Sequence, residues 1–392
     1  MADSLASRST LSAAVAAVHA RAAEMHAMTR AWVEVNSYTA HIDGVNRVGA
    51  MLREAFALPS LACTVVPGTG QGDHLIWRTP AAAAPGARPI VLVGHHDTVF
   101  PPGHFEGWRE AGDSRAVGPG ALDMKGGLSI IRAALATLDE LGALAALPVA
   151  VISVGDEEVG SPDSTPHLVA LAKAAQCALV FESGRAADAI ITRRRGVGSM
   201  TVTAHGVAAH AGNNHKDGAN AIWALARFVD AAQRCTDYAR GRTVNVGQFT
   251  GGTSKNTVPE RAECVLDLRY ETVADAHTLV DGLRAAAAEA AAAVPGVTMD
   301  VVGGANRLPL ERTPESAKLR DAYAACARAE GLGDGEAALL GGGSDANTIA
   351  PLGVPVIDGL GPRGAGFHTT TEYVELATFG PKIRALVRFL AS

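Results

Sequence analysis

Three short apolar runs constrain this chain more than anything else in it. "PIVLVG", "PVAVISVG" and "CALVFE" are hydrophobic at consecutive positions, so each strand must be covered on both faces. Between them lie "GGLSIIRAALATLDELGAL" and "STPHLVALAKAA", whose apolar residues recur at helical spacing. Ser164 and Thr165 before Pro166 mark the start of the second helix. Continuous strands alternating with helices predict an α/β fold with a mostly parallel sheet. The 392 residues, 48% of them hydrophobic, leave room for a large core and a second domain.

The pattern changes after about residue 193. "VGSMTVTAHG", "TVNVGQFTGG" and "ERAECVLDLRY" alternate as half-buried strands do, and "VTMDVVGG" closes the series. Two helices, "GANAIWALARFVDAAQRC" and "VADAHTLVDGLRAAAAEAAAAV", separate them, which predicts an open α+β sandwich. From about residue 308 helices and a buried strand resume in "ESAKLRDAYAACARAEGL", "PVIDGLG" and "PKIRALVRFLA". The expected organisation is therefore a catalytic domain of residues 1–193 and 308–392, interrupted by an inserted domain of residues 194–307.

Composition removes several function classes. A net charge of -6 leaves no basic footprint for nucleic acid, and Arg193 to Arg195 read as a solvated turn. Five cysteines without C-x-x-C spacing point to a reduced, cytoplasmic protein. "LSAAVAAVHA" lacks a basic leader and reads as an amphipathic helix rather than a signal peptide. No run approaches the ~20 apolar residues of a membrane span. "GLGPRG" fits a dinucleotide fingerprint but continues as loop where a helix should open.

The chemistry gathers where the apolar runs end. "VLVGHHDTVF" leaves a strand through His95, His96 and Asp97. Alternation puts His95 and Asp97 on one side and His96 on the other. A metal-bound imidazole usually donates its second N–H to a carboxylate, a role open to Asp97. "GPGALDMKGG" places Asp123 before a helix, "VGDEEVGS" places Asp156, Glu157 and Glu158 after a strand, and "VFESG" does the same for Glu182. Ligand sites of open α/β sheets form at such strand ends. Taken singly, each is an ordinary solvated loop carboxylate; together they suggest a metal site.

With these motifs on the page, the chain resembles the M20 co-catalytic zinc peptidases. That family includes glutamate carboxypeptidases, aminoacylases, acetylornithine deacetylases and succinyl-diaminopimelate desuccinylases. The resemblance runs from about residue 25 to the end and adds "GVAAHAG", "GGGSDA" and "GFHTTTEYV" to the motifs above. It implies two Zn²⁺ per subunit bridged by Asp123. His95 and Glu182 complete one site, Glu158 and His368 the other. Glu157 is then the general base, and Asp97 the catalytic-site carboxylate behind His95. The peptide after Asp123 is often cis in the family. His210 corresponds to the imidazole that stabilises the oxyanion, often across a dimer. Asn256 and Arg269 correspond to positions that hold the substrate carboxylate or support the lid. Arg307, in "GGANRLPL" where the flanking sequence departs from the family, reads as a bidentate clamp for a free carboxylate, and the backbone N–H groups of the Gly342–Gly343 loop offer donors to the same group.

Histidine and carboxylate ligands suit a catalytic zinc with open positions, and Mn²⁺ or Co²⁺ can replace it because N/O donor sets discriminate weakly. The expected protein is a homodimer through its inserted domain. It would act on a small acyl-amino acid or short peptide, releasing a C-terminal, Glu-type amino acid. The alternatives are an N-acyl-amino-acid deacylase or desuccinylase, and a metal-dependent binding protein without catalysis.

Overall fold

The structure, a computed structural model, describes residues 18, 22–112 and 114–392. Apart from Val18, the amphipathic helix expected in "LSAAVAAVHA" lies outside them. The chain divides into two compact units. One comprises the chain up to Thr192 with Arg312–Ala338 and Ser344–Ser392; the other comprises Arg193–Glu311 with Leu339–Gly343.

The first unit begins with helices α1 (Ala22–Val33) and α2 (Ile42–Ala55) and strands β1 (Ala62–Val66), β2 (His74–Arg78) and β3 (Ile90–His95). A small pair follows, β4 (Arg109–Ala111) and β5 (Arg115–Val117), then α3 (Gly126–Glu140), β6 (Val149–Val154), α4 (Thr165–Lys173) and β7 (Cys177–Val180). Strand β6 is buried at every position, as its apolar run requires. Helix α3 buries Ile130, Ile131, Leu135 and Leu138. It starts hard against the end of β7: a Cβ on Gly127 would lie 2.1 Å from the Phe181 carbonyl oxygen.

The second unit contains β8 (Gly196–His205), β9 (Ala209–His210), α5 (Ala221–Gln233), β10 (Thr243–Gly251), β11 (Thr257–Val258), β12 (Arg261–Tyr270), α6 (Val273–Ala292) and β13 (Thr298–Arg307). Its four-stranded sheet has the order β10-β12-β8-β13, antiparallel throughout. β8 and β12 alternate buried and half-exposed positions. Met200, Val202, Leu266 and Leu268 from the strands form one core with Leu225, Phe228, Leu279 and Leu283 from the helices. β9 and β11 pair as a separate ribbon. Arg194 is buried here and its guanidinium donates to the Gly342 carbonyl, while Arg195 pairs with Glu271. The expected solvated arginine turn is thus corrected at Arg194, whose backbone pairs with Leu310; Arg193 is exposed and Arg195 half-buried. Leu339–Gly343, grouped by sequence with the catalytic part, packs in this unit.

The remainder of the first unit supplies α7 (Pro314–Ala329), α8 (Asp345–Ile349), β14 (Val356–Ile357), β15 (Gly364–Ala365), β16 (Tyr373–Glu375) and α9 (Phe379–Leu390). The main sheet has the order β1-β2-β6-β3-β7-β14. Strands β6, β3, β7 and β14 are parallel, while β1 and β2 form an antiparallel edge. β15, β16, β5 and β4 make a small second sheet.

Candidate metal centre

Register brings the acidic strand ends together. β3 pairs in parallel with β6 through His95↔Val154 and with β7 through Val93↔Val180. His95, the Asp156–Glu158 turn and Glu182 therefore leave the sheet side by side, as ligand sites of open α/β sheets do. Asp123 joins them from the turn before α3, where the Asp123–Met124 peptide is cis. His368 comes from the loop between β15 and β16, in the left-handed region at φ 62°. A non-glycine residue rarely holds that conformation unless its surroundings impose it.

Asp123 offers one oxygen to each imidazole. His95 Nε2 lies 3.3 Å from Asp123 Oδ1 and 3.6 Å from Glu182 Oε1. His368 Nε2 lies 3.4 Å from Asp123 Oδ2 and 3.1 Å from Glu158 Oε2. Donor atoms of His95, Asp123 and Glu158 fall within 4.8 Å of one another, as do those of His95, Glu157 and Glu182.

So many buried carboxylates cannot all ionise without a cation. Burial, reinforced by repulsion from Asp123, pushes Glu182 well above the usual carboxylate range. Burial likewise raises Glu158 to about 7, against the opposing hydrogen bond from His368. Asp123 goes the other way: burial would raise it, but hydrogen bonds from His368 and His95 hold it low. Burial alone would lower His95, yet its bonds to Asp123 and Asp97 carry it well above an ordinary histidine. Bonds to Asp123 and Glu158 lift His368 to about 10. Nearby, Lys125 Nζ donates to the Trp32 and Val35 carbonyls at 3.0 and 3.2 Å, and burial lowers its pKa to about 7. Two imidazoles and several buried carboxylates, free of thiolates, are a donor set that fits a divalent metal in place of these protons.

A second layer orients the first. His95 Nδ1 faces Asp97, 3.1 Å from its carbonyl oxygen and 3.3 Å from Oδ1. The same Asp97 carboxylate accepts Thr39 Oγ1 at 2.7 Å and the N–H groups of Glu157 and Glu158 at 3.2 and 3.1 Å. One carboxylate thus orients both an imidazole and the paired glutamates. His96 turns away, with Nδ1 2.9 Å from Ser153 Oγ, and burial lowers its pKa to about 3. Glu372 accepts three N–H groups from the turn that carries Asp123. That turn needs glycine at 120: φ is +72°, and a Cβ would meet Thr98 Cγ2 at 2.6 Å. Sequence reasoning missed Thr39, Lys125 and Glu372. The last two stand inside quoted motifs, but an isolated polar residue in a turn carries no periodic signal.

The remaining expected site residues belong to the second unit. His210 Nδ1 accepts the N–H groups of Gly212 and Asn213, both at 3.1 Å, so Nε2 carries the ring proton of the neutral imidazole. Asn256 lies beside it, its carbonyl accepting the Ala211 N–H and its Oδ1 the Ser254 hydroxyl. Arg269 is clamped by Asp267 through two bonds of 2.9 Å and reaches the Gly341 carbonyl at 3.5 Å. Gly343 ends that segment, and Arg307 ends β13 opposite Val197.

A buried carboxylate–imidazole cluster at the ends of parallel strands, in a chain interrupted by an α+β unit, defines a metal-dependent peptidase or amidohydrolase. Residues 192–295 match the peptidase dimerisation domain of the M20 peptidases. Carboxypeptidase G2 of Pseudomonas sp. (strain RS-16) is 28% identical over 366 residues, covering 91% of this chain and 86% of that one. A succinyl-diaminopimelate desuccinylase of Methylobacterium nodulans is 30% identical over 332 residues, covering 79% and 81%. The chain belongs to the M20 family, whose members are metal-dependent peptidases and amidohydrolases. Its fold is shared with the Bacillus subtilis YXEP protein, described as a dinuclear metal binding peptidase of that family. The two superpose with a TM-score of 0.69 at 14% identity over 95% of this chain and 98% of the other. Among the described residues, no helix is long and apolar enough to cross a membrane.

Proposed function

We propose that the protein is a di-zinc amide hydrolase that releases an amino acid with a free α-carboxylate, of glutamate type, from an acyl or peptidyl conjugate. One observation carries this reading: the two oxygens of Asp123 face two different imidazoles, the arrangement of a bridging carboxylate. His95 and Glu182 complete one site, and Glu158 and His368 the other. Two divalent ions held by these residues would polarise the scissile carbonyl and acidify the attacking water. Glu157 takes the proton from that water and delivers it to the leaving amine. Asp97 keeps the His95 ring in its ligating tautomer. His210 donates from Nε2 to the developing oxyanion, either in its own subunit or across a homodimer. Arg307, Asn256 and the Gly343 segment bind the substrate carboxylate; Arg269, committed to Asp267, supports that segment. Mn²⁺ or Co²⁺ can replace Zn²⁺ at N/O ligands.

Likeness to carboxypeptidase G2 over 91% of the chain supports release of a C-terminal amino acid. Likeness to succinyl-diaminopimelate desuccinylases supports a second reading, deacylation of an N-acyl amino acid. A metal-binding protein without catalysis would have no need of Glu157 beside a complete ligand set. The test is a hydrolysis screen of acyl-amino acids and dipeptides, with a metal-depleted control and α-carboxamide analogues. Release of glutamate that metal depletion abolishes is expected. Amidation should cost more than about tenfold in kcat/KM, because a carboxylate-binding group is left unpaired. Equal turnover of acids and amides would refute the carboxylate clamp. Preference governed by a succinyl or other acyl group alone would select the second reading.

A further inference from the structure

Glu372 is a buried carboxylate for which the proposed chemistry has no use. It lies four residues beyond His368, just before β16, and is 0% exposed. Its side chain crosses to the turn that carries Asp123. Oε1 accepts the N–H groups of Leu122 and Asp123 at 2.8 and 3.1 Å, and Oε2 accepts that of Gly120 at 3.2 Å. Its backbone carbonyl accepts the Gly118 N–H at 3.2 Å, and the next residue, Tyr373, pairs with Val117. A carboxylate is costly to bury unless donors replace its water. Here all three donors belong to the segment presenting Asp123, and the acceptor belongs to the segment presenting His368.

We propose that Glu372 is a positioning residue for the metal centre: its carboxylate fixes the Asp123 turn against the His368 loop and so sets the spacing of their donor atoms. The inference rests on the di-metal reading above. A carboxylate is required because only two acceptor oxygens satisfy three N–H groups; an amide would turn an NH₂ toward a donor. A purely structural clasp would also stabilise the fold, so the test must separate stability from metal geometry.

The probe is Co²⁺, titrated into the metal-free, full-length protein and read by its d–d absorption. Glu372→Gln is compared with Glu330→Gln, which removes a buried carboxylate bonded to Arg384 and Arg388 of α9. Glu330→Gln should lower the melting temperature of the metal-free protein but leave Co²⁺ affinity and band shape as in wild type. Glu372→Gln should weaken Co²⁺ binding by about 10–100-fold and change the band, the size of effect typical of groups that orient ligands. Unchanged Co²⁺ affinity and band in Glu372→Gln would overturn the inference while leaving the di-metal reading intact. A wild-type protein that takes up no Co²⁺ would overturn both. Should Glu372→Gln not fold, Glu372→Asp, which keeps the charge but withdraws it by one methylene, is judged by the same two criteria.

Discussion

Two adjacent pairs of like residues, His95–His96 and Glu157–Glu158, send their side chains to different partners. Glu158 bonds to His368, whereas the Glu157 carboxylate groups with His95 and Glu182. On the proposed assignment, in which Glu158 is a ligand and Glu157 the base, Glu157→Gln should keep its metal and lose at least about 10²-fold in kcat. Glu158→Gln should lose metal. Elemental analysis beside steady-state kinetics decides between them, and equal metal loss in both would reverse the assignment. His95→Ala should likewise give up metal. His96→Ala, which empties a fully buried position beside Ser153, should keep its metal and cost about 1–3 kcal/mol of stability instead. Alternation along a strand makes this division of the histidines legible in the sequence. The part played by Glu372 is not, because it depends on which turn the chain brings opposite, and no spacing encodes that.

Among the elements, the same substitution should have opposite signs in two helices. Gly127 lies in the first turn of α3, where a Cβ would press on the Phe181 carbonyl; Gly282 lies within α6 with nothing inside 4 Å of its Cβ position. Gly127→Ala should destabilise by about 1–3 kcal/mol through overpacking. Gly282→Ala should stabilise by about 0.5–1 kcal/mol, since alanine favours the helix. Denaturant midpoints of the two variants check both signs. The central strands β3, β6 and β7 and the long helices were readable because their apolar periods are regular. The antiparallel edge of β1 and β2 was not. β1 is exposed or half-buried at every position, so burial imprints no pattern on "ACTVV". The buried Arg194 escaped for a related reason: a charged triplet reads as solvated until its backbone partner, Leu310, is known.

At the scale of the whole molecule, the proposed ligands and the proposed oxyanion donor belong to different units. If His210 serves the partner subunit, His210→Ala and Glu157→Gln homodimers should each be nearly inactive. Exchange of subunits between them should restore roughly a quarter of wild-type activity, since half the dimers then hold one intact site in two. Exchange shown by mass spectrometry without recovery would exclude action in trans. The second unit also has an architectural property. Arg194 and Leu310, near its entry and exit, bond to each other in both directions through their backbones. Leu339–Gly343 rejoins the same unit beyond them, its Leu340 carbonyl accepting the Arg195 N–H. Because the two bonds between Arg194 and Leu310 hold the ends of residues 194–310 together, the length and loops of the segment between them can vary without parting its ends. Selection can then act on that segment separately from the strand ends that carry His95, Glu158 and Glu182.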